Sequence, residues 1–159
     1  MWEKQWARVG RRYKRLEAMN TPKEHIGPTQ DYDDDDFHAF FTDCYHLKDW
    51  LKNDSTSGVS GREVEDFVAK SSNLKLCGDL ANGSKHLLLT NPKIDPKARI
   101  GGKLFKVGLQ AGGSLREPTT IAHSYKVEAL GKALDGFDLA TNCVSEWEAF
   151  LKSKSLPIT

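Results

Sequence analysis

Hydrophobic side chains recur every three or four positions along most of the chain, which is the spacing of an amphipathic helix. The pattern predicts a helix over residues 2–18, a second over 34–52 and a fourth over 74–89. Between the second and the fourth, Ser60 is placed to cap a short third helix. A last helix follows from the apolar positions within residues 137–151. Helices therefore account for most of the predicted structure.

The period changes to strict alternation over residues 103–109 and again over 120–128, which indicates two β-strands. A turn-rich segment separates them, so we expect an antiparallel hairpin. Its apolar side chains should cover the helices; they are Phe105, Val107, Tyr125 and Val127. The predicted fold is mainly α, a four- to five-helix bundle with a β-hairpin inserted before the last helix.

The composition is typical of one globular domain. The chain has 159 residues, of which 38% are hydrophobic and 28% charged, and domains cluster near ~100–150 residues. We assign residues 1–159 to a single domain, in which 1–30 form a basic helix with its linker and 99–130 form the hairpin insertion. The sequence has neither an apolar run of membrane-spanning length nor a signal-peptide pattern, so we expect a cytoplasmic protein without membrane contact.

The chain contains three widely spaced cysteines, Cys44, Cys77 and Cys143. Their odd number and their spacing argue against a disulfide framework and against a zinc knuckle. Each lies in register with apolar neighbours, where a thiol behaves as a small hydrophobic group. We therefore predict three reduced, buried cysteines and expect neither a cofactor nor a metal ion.

The formal net charge of +1 conceals a strong local asymmetry. Seven Lys and Arg residues lie within the first 30 positions, and five Asp residues follow between positions 31 and 36. A basic helix of this kind is suited to contact nucleic-acid phosphates. The candidate contacts are Arg8, Arg11, Arg12 and Arg15, with Lys75 further along and with Trp2, Trp6 and Tyr13 interleaved among them. The alternative is a solvated face on a packed helix.

Two polar stripes suggest acid–base chemistry. In the second helix, Asp43 and Asp49 lie one turn to either side of His46, and neighbouring carboxylates help an imidazole to keep its proton. In the fourth helix a polar stripe lies opposite the leucines, with Lys85 beside it; its members are Lys75, Asp79, Asn82 and His86. If the two helices pack antiparallel, His46 approaches this stripe. The cluster is then either an acid–base set for phosphodiester chemistry or a buried polar network that fixes helix register.

The segment from Ala81 to His86 resembles the motif of the HEPN superfamily, in which an Arg, often followed by Asn, precedes a His by a few residues. Asn82 and His86 occupy the matching positions, and Ala81 stands where the family has its Arg. The resemblance implies a helical bundle that homodimerises and cleaves RNA without metal, in a toxin–antitoxin or phage-defence setting with an operon-encoded protein partner. The candidate catalytic residues are then His86, Asn82, Lys85, Asp79 and His46.

Ala81 leaves a second hypothesis open. The guanidinium of an Arg supplies a bidentate charge partner for a phosphorane, and a lysine does not reproduce that fork. The alternative to a divergent ribonuclease is a non-catalytic helical module that binds protein or nucleic acid and contains a structural polar network.

Overall fold

A computed structural model describes residues 1–24, 34–83, 91–108 and 120–158 of the chain. Within these ranges the protein is mainly helical and carries one small antiparallel sheet, as the sequence predicts. The helices are α1 (Trp2–Asn20), α2 (Asp35–Asn53), α3 (Gly61–Lys70), α4 (Ser72–Gly83) and α5 (Gly136–Ser153). The strands are β1 (Lys23–Glu24), β2 (Arg99–Gly108), β3 (Thr120–Ala129) and β4 (Lys132–Asp135).

The helices form where the sequence predicts them because their apolar stripes meet in one core. α2 lies at the centre of the packing and contacts α1, α3, α4 and α5. Its buried stripe is completed by aromatic and aliphatic side chains of the neighbouring helices. The fully buried members include Val9, Leu16, Phe37, Phe40, Phe41, Leu47, Leu51, Leu74, Trp147 and Leu151. Burial of this much apolar surface is the main stabilising contribution to such a fold.

Local signals set several helix ends. The predicted cap Ser60 accepts a hydrogen bond from the backbone N–H of Glu63, whose carboxylate accepts from the Ser60 N–H in return, a complete capping box. The fourth predicted helix begins at Ser72 and is described as far as Gly83; the remainder of the predicted span, 84–89, lies outside the described residues.

The sheet is built around β3. β2 pairs antiparallel with it along one edge, as the alternation predicts, and β1 and β4 pair with opposite ends of its other edge. The predicted residue 109 lies outside the described part of the chain. The sequence pattern does not reveal β1 and β4, because strands of two and four residues show no alternation.

One expectation about the hairpin is wrong. Tyr125 and Val127 are buried, but Phe105 and Val107 are each 54% exposed and do not cover the helices. The reason is the position of β2. Helices α1 and α5 pack on β3, whereas β2 is an edge strand that pairs with β3 and contacts α4. Phe105 instead makes an edge-on contact with the His123 ring, at 5.2 Å between centroids.

A single carboxylate joins the sheet to the last helix. Asp135 ends β4 and caps α5 by accepting a hydrogen bond from the Phe137 N–H at 2.9 Å. It also accepts from the Ser124 hydroxyl and pairs with Lys106 of β2 at 2.6 Å.

None of the helices in the described ranges combines the length and the hydrophobicity that a membrane span requires.

Candidate functional site

The exposed face of α1 is strongly basic. Five cationic side chains line a concave space of about 450 Å³ on this face. We call them the α1 basic surface: Arg8, Arg11, Arg12, Lys14 and Arg15. All four arginines predicted for nucleic-acid contact in α1 belong to it.

The opposite face of α1 explains why these charges point outward. Trp2, Val9 and Leu16 are fully or almost fully buried, so they fix the rotation of the helix about its own axis. Residues three and four apart lie on the same side of a helix, and this aligns Arg8, Arg11 and Arg15 on the solvent side. The basic surface is thus positioned by the packing of the apolar face.

The aromatic residues of α1 do not belong to the basic surface, contrary to the expectation that they would be interleaved with it. Trp2 and Trp6 are 1% and 5% exposed and lie in the core. Tyr13 is half-buried; its ring stacks on Phe137 with centroids 5.6 Å apart, and its hydroxyl bonds to Thr141. The surface therefore offers charge and hydrogen-bond donors to a ligand, without rings for base stacking.

Two aspartates of α2 orient three of the arginines. The Asp43 carboxylate lies 3.3 Å from Nε of Arg12 and 3.7 Å from Nη1 of Arg8. The Asp36 carboxylate lies 3.3 Å from Nη1 of Arg15 and 3.9 Å from Nη1 of Arg12. The Asp43 and Asp36 side chains are only 16% and 28% exposed, so these pairs hold the guanidinium groups in place and partly compensate their charge.

Arg11 and Lys14 are exposed and form no ion pair or hydrogen bond with another described residue. No described residue therefore compensates their charges by direct contact, and they flank the paired arginines on the same concave face. The remaining predicted nucleic-acid contact, Lys75, is half-buried on α4 and does not line this space.

Asp79, a predicted catalytic residue, is fully buried and holds a backbone segment. Its two carboxylate oxygens accept hydrogen bonds from the backbone N–H groups of Lys93, Ile94 and Asp95, at 2.6, 2.8 and 2.8 Å. Three charge-assisted bonds satisfy most of the lone pairs of a carboxylate. Of the two alternatives for the polar stripe, this arrangement fits the structural network for Asp79.

His46 is half-buried, and its ring lies 6.3 Å from that of Tyr45. The two carboxylates expected to flank it are directed elsewhere. Asp43 pairs with Arg8 and Arg12 on α1, and Asp49 lies 3.5 Å from the Lys48 ammonium and 3.3 Å from that of Lys52.

The predicted acid–base cluster is only partly described. Asn82 is half-buried near the end of α4, and Lys85 and His86 lie outside the described residues. In the ranges that the structure covers, no hydrogen bond or ion pair joins His46 to Lys75, Asp79 or Asn82. The assembly of this cluster into a ribonuclease site stays a prediction.

The three cysteines converge, which the sequence analysis did not foresee. Cys44, Cys77 and Cys143 come from α2, α4 and α5; all are free thiols at 0% exposure, as predicted, and their Sγ atoms lie within 4.8 Å of one another. The available signal was that each cysteine occupies the core stripe of its helix. The core stripes of three helices meet in one bundle and can bring such residues together. A single sequence does not show whether the three cysteines lie at the same height along the bundle.

The pKa values of the three thiols shift in different directions. Contact with Cys143 and then with Cys77 outweighs burial and lowers the pKa of Cys44. Burial raises the pKa of Cys77, and contact with Cys44 raises that of Cys143. The S–H of Cys77 donates to the carbonyl oxygen of Phe41 at 3.3 Å, and the S–H of Cys143 donates to the carbonyl oxygen of Asn73 at 3.6 Å.

A comparison of the chain with protein-family models, with curated proteins and with solved structures found no match. The HEPN resemblance of the segment from Ala81 to His86 accordingly stays a prediction.

Proposed function

We propose that the protein is a non-catalytic module that binds RNA by contacting its phosphates with the α1 basic surface. The observation that carries this proposal is the concave space lined by five cationic side chains. In this proposal the five helices act as one bundle with the β2–β3 hairpin inserted before α5. The bundle holds α1 with its charged face toward solvent.

The chemistry of the surface favours phosphate over other anions. Four of its five cations are arginines, whose planar guanidinium groups donate paired hydrogen bonds to phosphate oxygens. From Arg8 to Arg15 the surface extends for about 10 Å along the helix, at 1.5 Å per residue, so it can contact consecutive phosphates of one strand. Since its tryptophans are buried, binding should be tolerant of sequence.

The test compares matched double variants of the full chain by fluorescence anisotropy with labelled single-stranded RNA, single-stranded DNA and RNA duplex. Arg11→Gln with Lys14→Gln removes the two cations of the surface that no described residue pairs. Arg62→Gln with Lys152→Gln is the control, because Arg62 is 92% and Lys152 68% exposed on other helices. Loss of two contacts of roughly 0.3–1 kcal/mol each should weaken RNA binding about 3- to 30-fold, with little change in the control.

Equal losses in both double variants, or no RNA binding at low salt, would contradict the proposal, and tighter binding of DNA would contradict the assignment to RNA. The same samples incubated in EDTA test the HEPN-like ribonuclease hypothesis. If the protein cleaves RNA in EDTA and His86→Ala abolishes this cleavage, the protein is a metal-independent nuclease and the proposal of a non-catalytic module is wrong. Light scattering on the same samples checks for the homodimer that the resemblance implies.

A further inference from the structure

The core of the protein contains a sulfur cluster that the proposed RNA contact does not use. Cys44, Cys77 and Cys143 are contributed by three different helices, and their Sγ atoms lie within 4.8 Å of one another at 0% exposure. No other group of three His, Cys, Asp or Glu side chains comes together with ligand spacing in the residues that the structure describes.

The spacing fits a three-coordinate metal ion. Sulfur ligands at ~2.3 Å from a metal in a planar trigonal arrangement lie about 4 Å from one another. The three sulfurs are already within 4.8 Å, so small side-chain rotations bring them to this separation. Thiolate ligands select soft ions, of which Cu(I) and Zn²⁺ are the common biological cases.

The surroundings distinguish between these two ions. Structural zinc has four protein ligands, and catalytic zinc has three with a water. Within the described part of the chain no fourth His, Cys, Asp or Glu joins the three thiols, and their complete burial leaves no place for solvent. Cu(I) accepts three sulfur ligands without a fourth donor.

The indole of Trp147 adds an independent observation. Trp147 is fully buried, and its N–H makes no hydrogen bond of ordinary geometry to any described residue. Trp147 lies one turn after Cys143 on α5, so its indole shares the buried face of the helix that carries that sulfur. A donor beside a ligand sulfur is the kind of neighbour that tunes metal sites.

We infer that Cys44, Cys77 and Cys143 form a three-sulfur binding site for a soft monovalent cation, Cu(I). The ion binds without change of oxidation state by accepting an electron pair from each sulfur. All three sulfurs bind as thiolates, and the proton that each thiol loses passes to solvent while the chain is still open. Because the thiols are inaccessible in the folded chain, the ion enters while the protein folds or opens.

The experiment loads the full chain as it refolds. The reduced protein is diluted anaerobically from denaturant with Cu(I) in acetonitrile, and is then dialysed against a Cu(I) chelator. We expect one retained copper per chain, with X-ray absorption showing three sulfur neighbours at about 2.3 Å. No retained copper, or copper bound by nitrogen or oxygen, would overturn the inference. A parallel refolding with Zn²⁺ should retain no zinc, and retention of four-coordinate zinc would overturn the assignment to Cu(I).

Variants separate the loss of a ligand from the loss of the fold. Cys77→Ala and Cys143→Ala should each fold by circular dichroism and lose the retained copper. Leu76→Ala is the matched control, because Leu76 is 4% exposed beside Cys77 and carries no sulfur. Leu76→Ala should have a lower melting temperature than wild type and should still retain copper. Copper should raise the melting temperature of wild type and of Leu76→Ala, but not that of the two cysteine variants. Equal retention of copper by wild type and the cysteine variants would refute the site, and loss of copper by Leu76→Ala would show that packing, and not the sulfurs, decides retention.

Discussion

Gly78 of α4 lies directly against the ring of Tyr45 of α2. A Cβ atom built on Gly78 would come within 2.5 Å of a Tyr45 ring carbon, a separation that real Cβ atoms do not show. The close approach of α2 and α4 thus requires glycine at this position. The same approach brings Cys44 and Cys77, which lie one position earlier on their helices, to the same level of the core.

Gly78→Ala should destabilise the protein despite the higher helix propensity of alanine. The added methyl forces Tyr45 or the helix backbone to move, and overpacking of a core costs typically ~1–3 kcal/mol. The measurement is the free energy of unfolding in urea. The control is Gly10→Ala in α1, where nothing lies within 4 Å of the added Cβ. It should stabilise by up to ~1 kcal/mol, and the same sign of change in both variants would contradict this account.

Asp79→Asn should destabilise the protein, because the carboxylate accepts three backbone hydrogen bonds at 0% exposure. The amide provides one acceptor oxygen and places an NH₂ group against a backbone donor. A loss of roughly 1–3 kcal/mol is expected, measured by urea unfolding. Asp49→Asn, at a 44% exposed side chain, is the control and should change stability little. If Asp79→Asn leaves the free energy of unfolding unchanged, the hydrogen bonds from residues 93–95 to Asp79 do not stabilise the fold.

Glu63 should contribute stability that depends on pH. The ammonium of Lys154 and the Ser60 cap lower the pKa of Glu63 from 4.5 to about 2. A carboxyl whose pKa is lower in the folded than in the unfolded state stabilises the fold above pH 4.5, and this contribution disappears as the pH falls toward 2. At pH 6 the melting temperature of wild type should therefore be higher than that of Glu63→Gln, and this difference should decrease between pH 4.5 and 2. A difference independent of pH would contradict the assignment.

RNA binding through the α1 basic surface should weaken steeply with salt. Each phosphate neutralised on a single strand contributes about −0.7 to the slope of log K against log salt concentration. If all five cations contact phosphates, the slope is about −3.5 for wild type and about −2.1 for the Arg11→Gln, Lys14→Gln double variant. Anisotropy titrations at four or five salt concentrations measure both slopes. Identical slopes would mean that these two cations do not contact the strand.

Sequence reasoning located the long helices because hydrophobic periodicity is a local property. α1 extends over Trp2–Asn20 against a prediction of 2–18, and α2 over Asp35–Asn53 against 34–52. It missed β4 because a four-residue strand is stabilised by its partner β3 rather than by its own pattern. The exposure of Phe105 was missed for a related reason, since alternation does not tell which strand the helices cover.

The candidate site was predictable only as far as it is local. The basic stripe of α1 follows from its sequence, but the pairing of Arg12 with Asp43 joins residues 31 positions apart. The amphipathic pattern of α4 predicts Asp79 on a polar stripe. In the structure the segment 93–95 covers that side of α4 and turns Asp79 into a buried acceptor. The meeting of three cysteines likewise depends on how three helices are packed.

The contact of Tyr13 with Thr141 has a consequence for the order of folding. The two residues are 128 positions apart, and the stacking of Tyr13 on Phe137 spans a similar distance along the chain. During synthesis on the ribosome, Tyr13 emerges long before its partners on α5 exist. Contacts between such distant residues slow folding and leave apolar surface exposed while it proceeds. The Tyr13 side of α1 is therefore completed only after α5 has been synthesised.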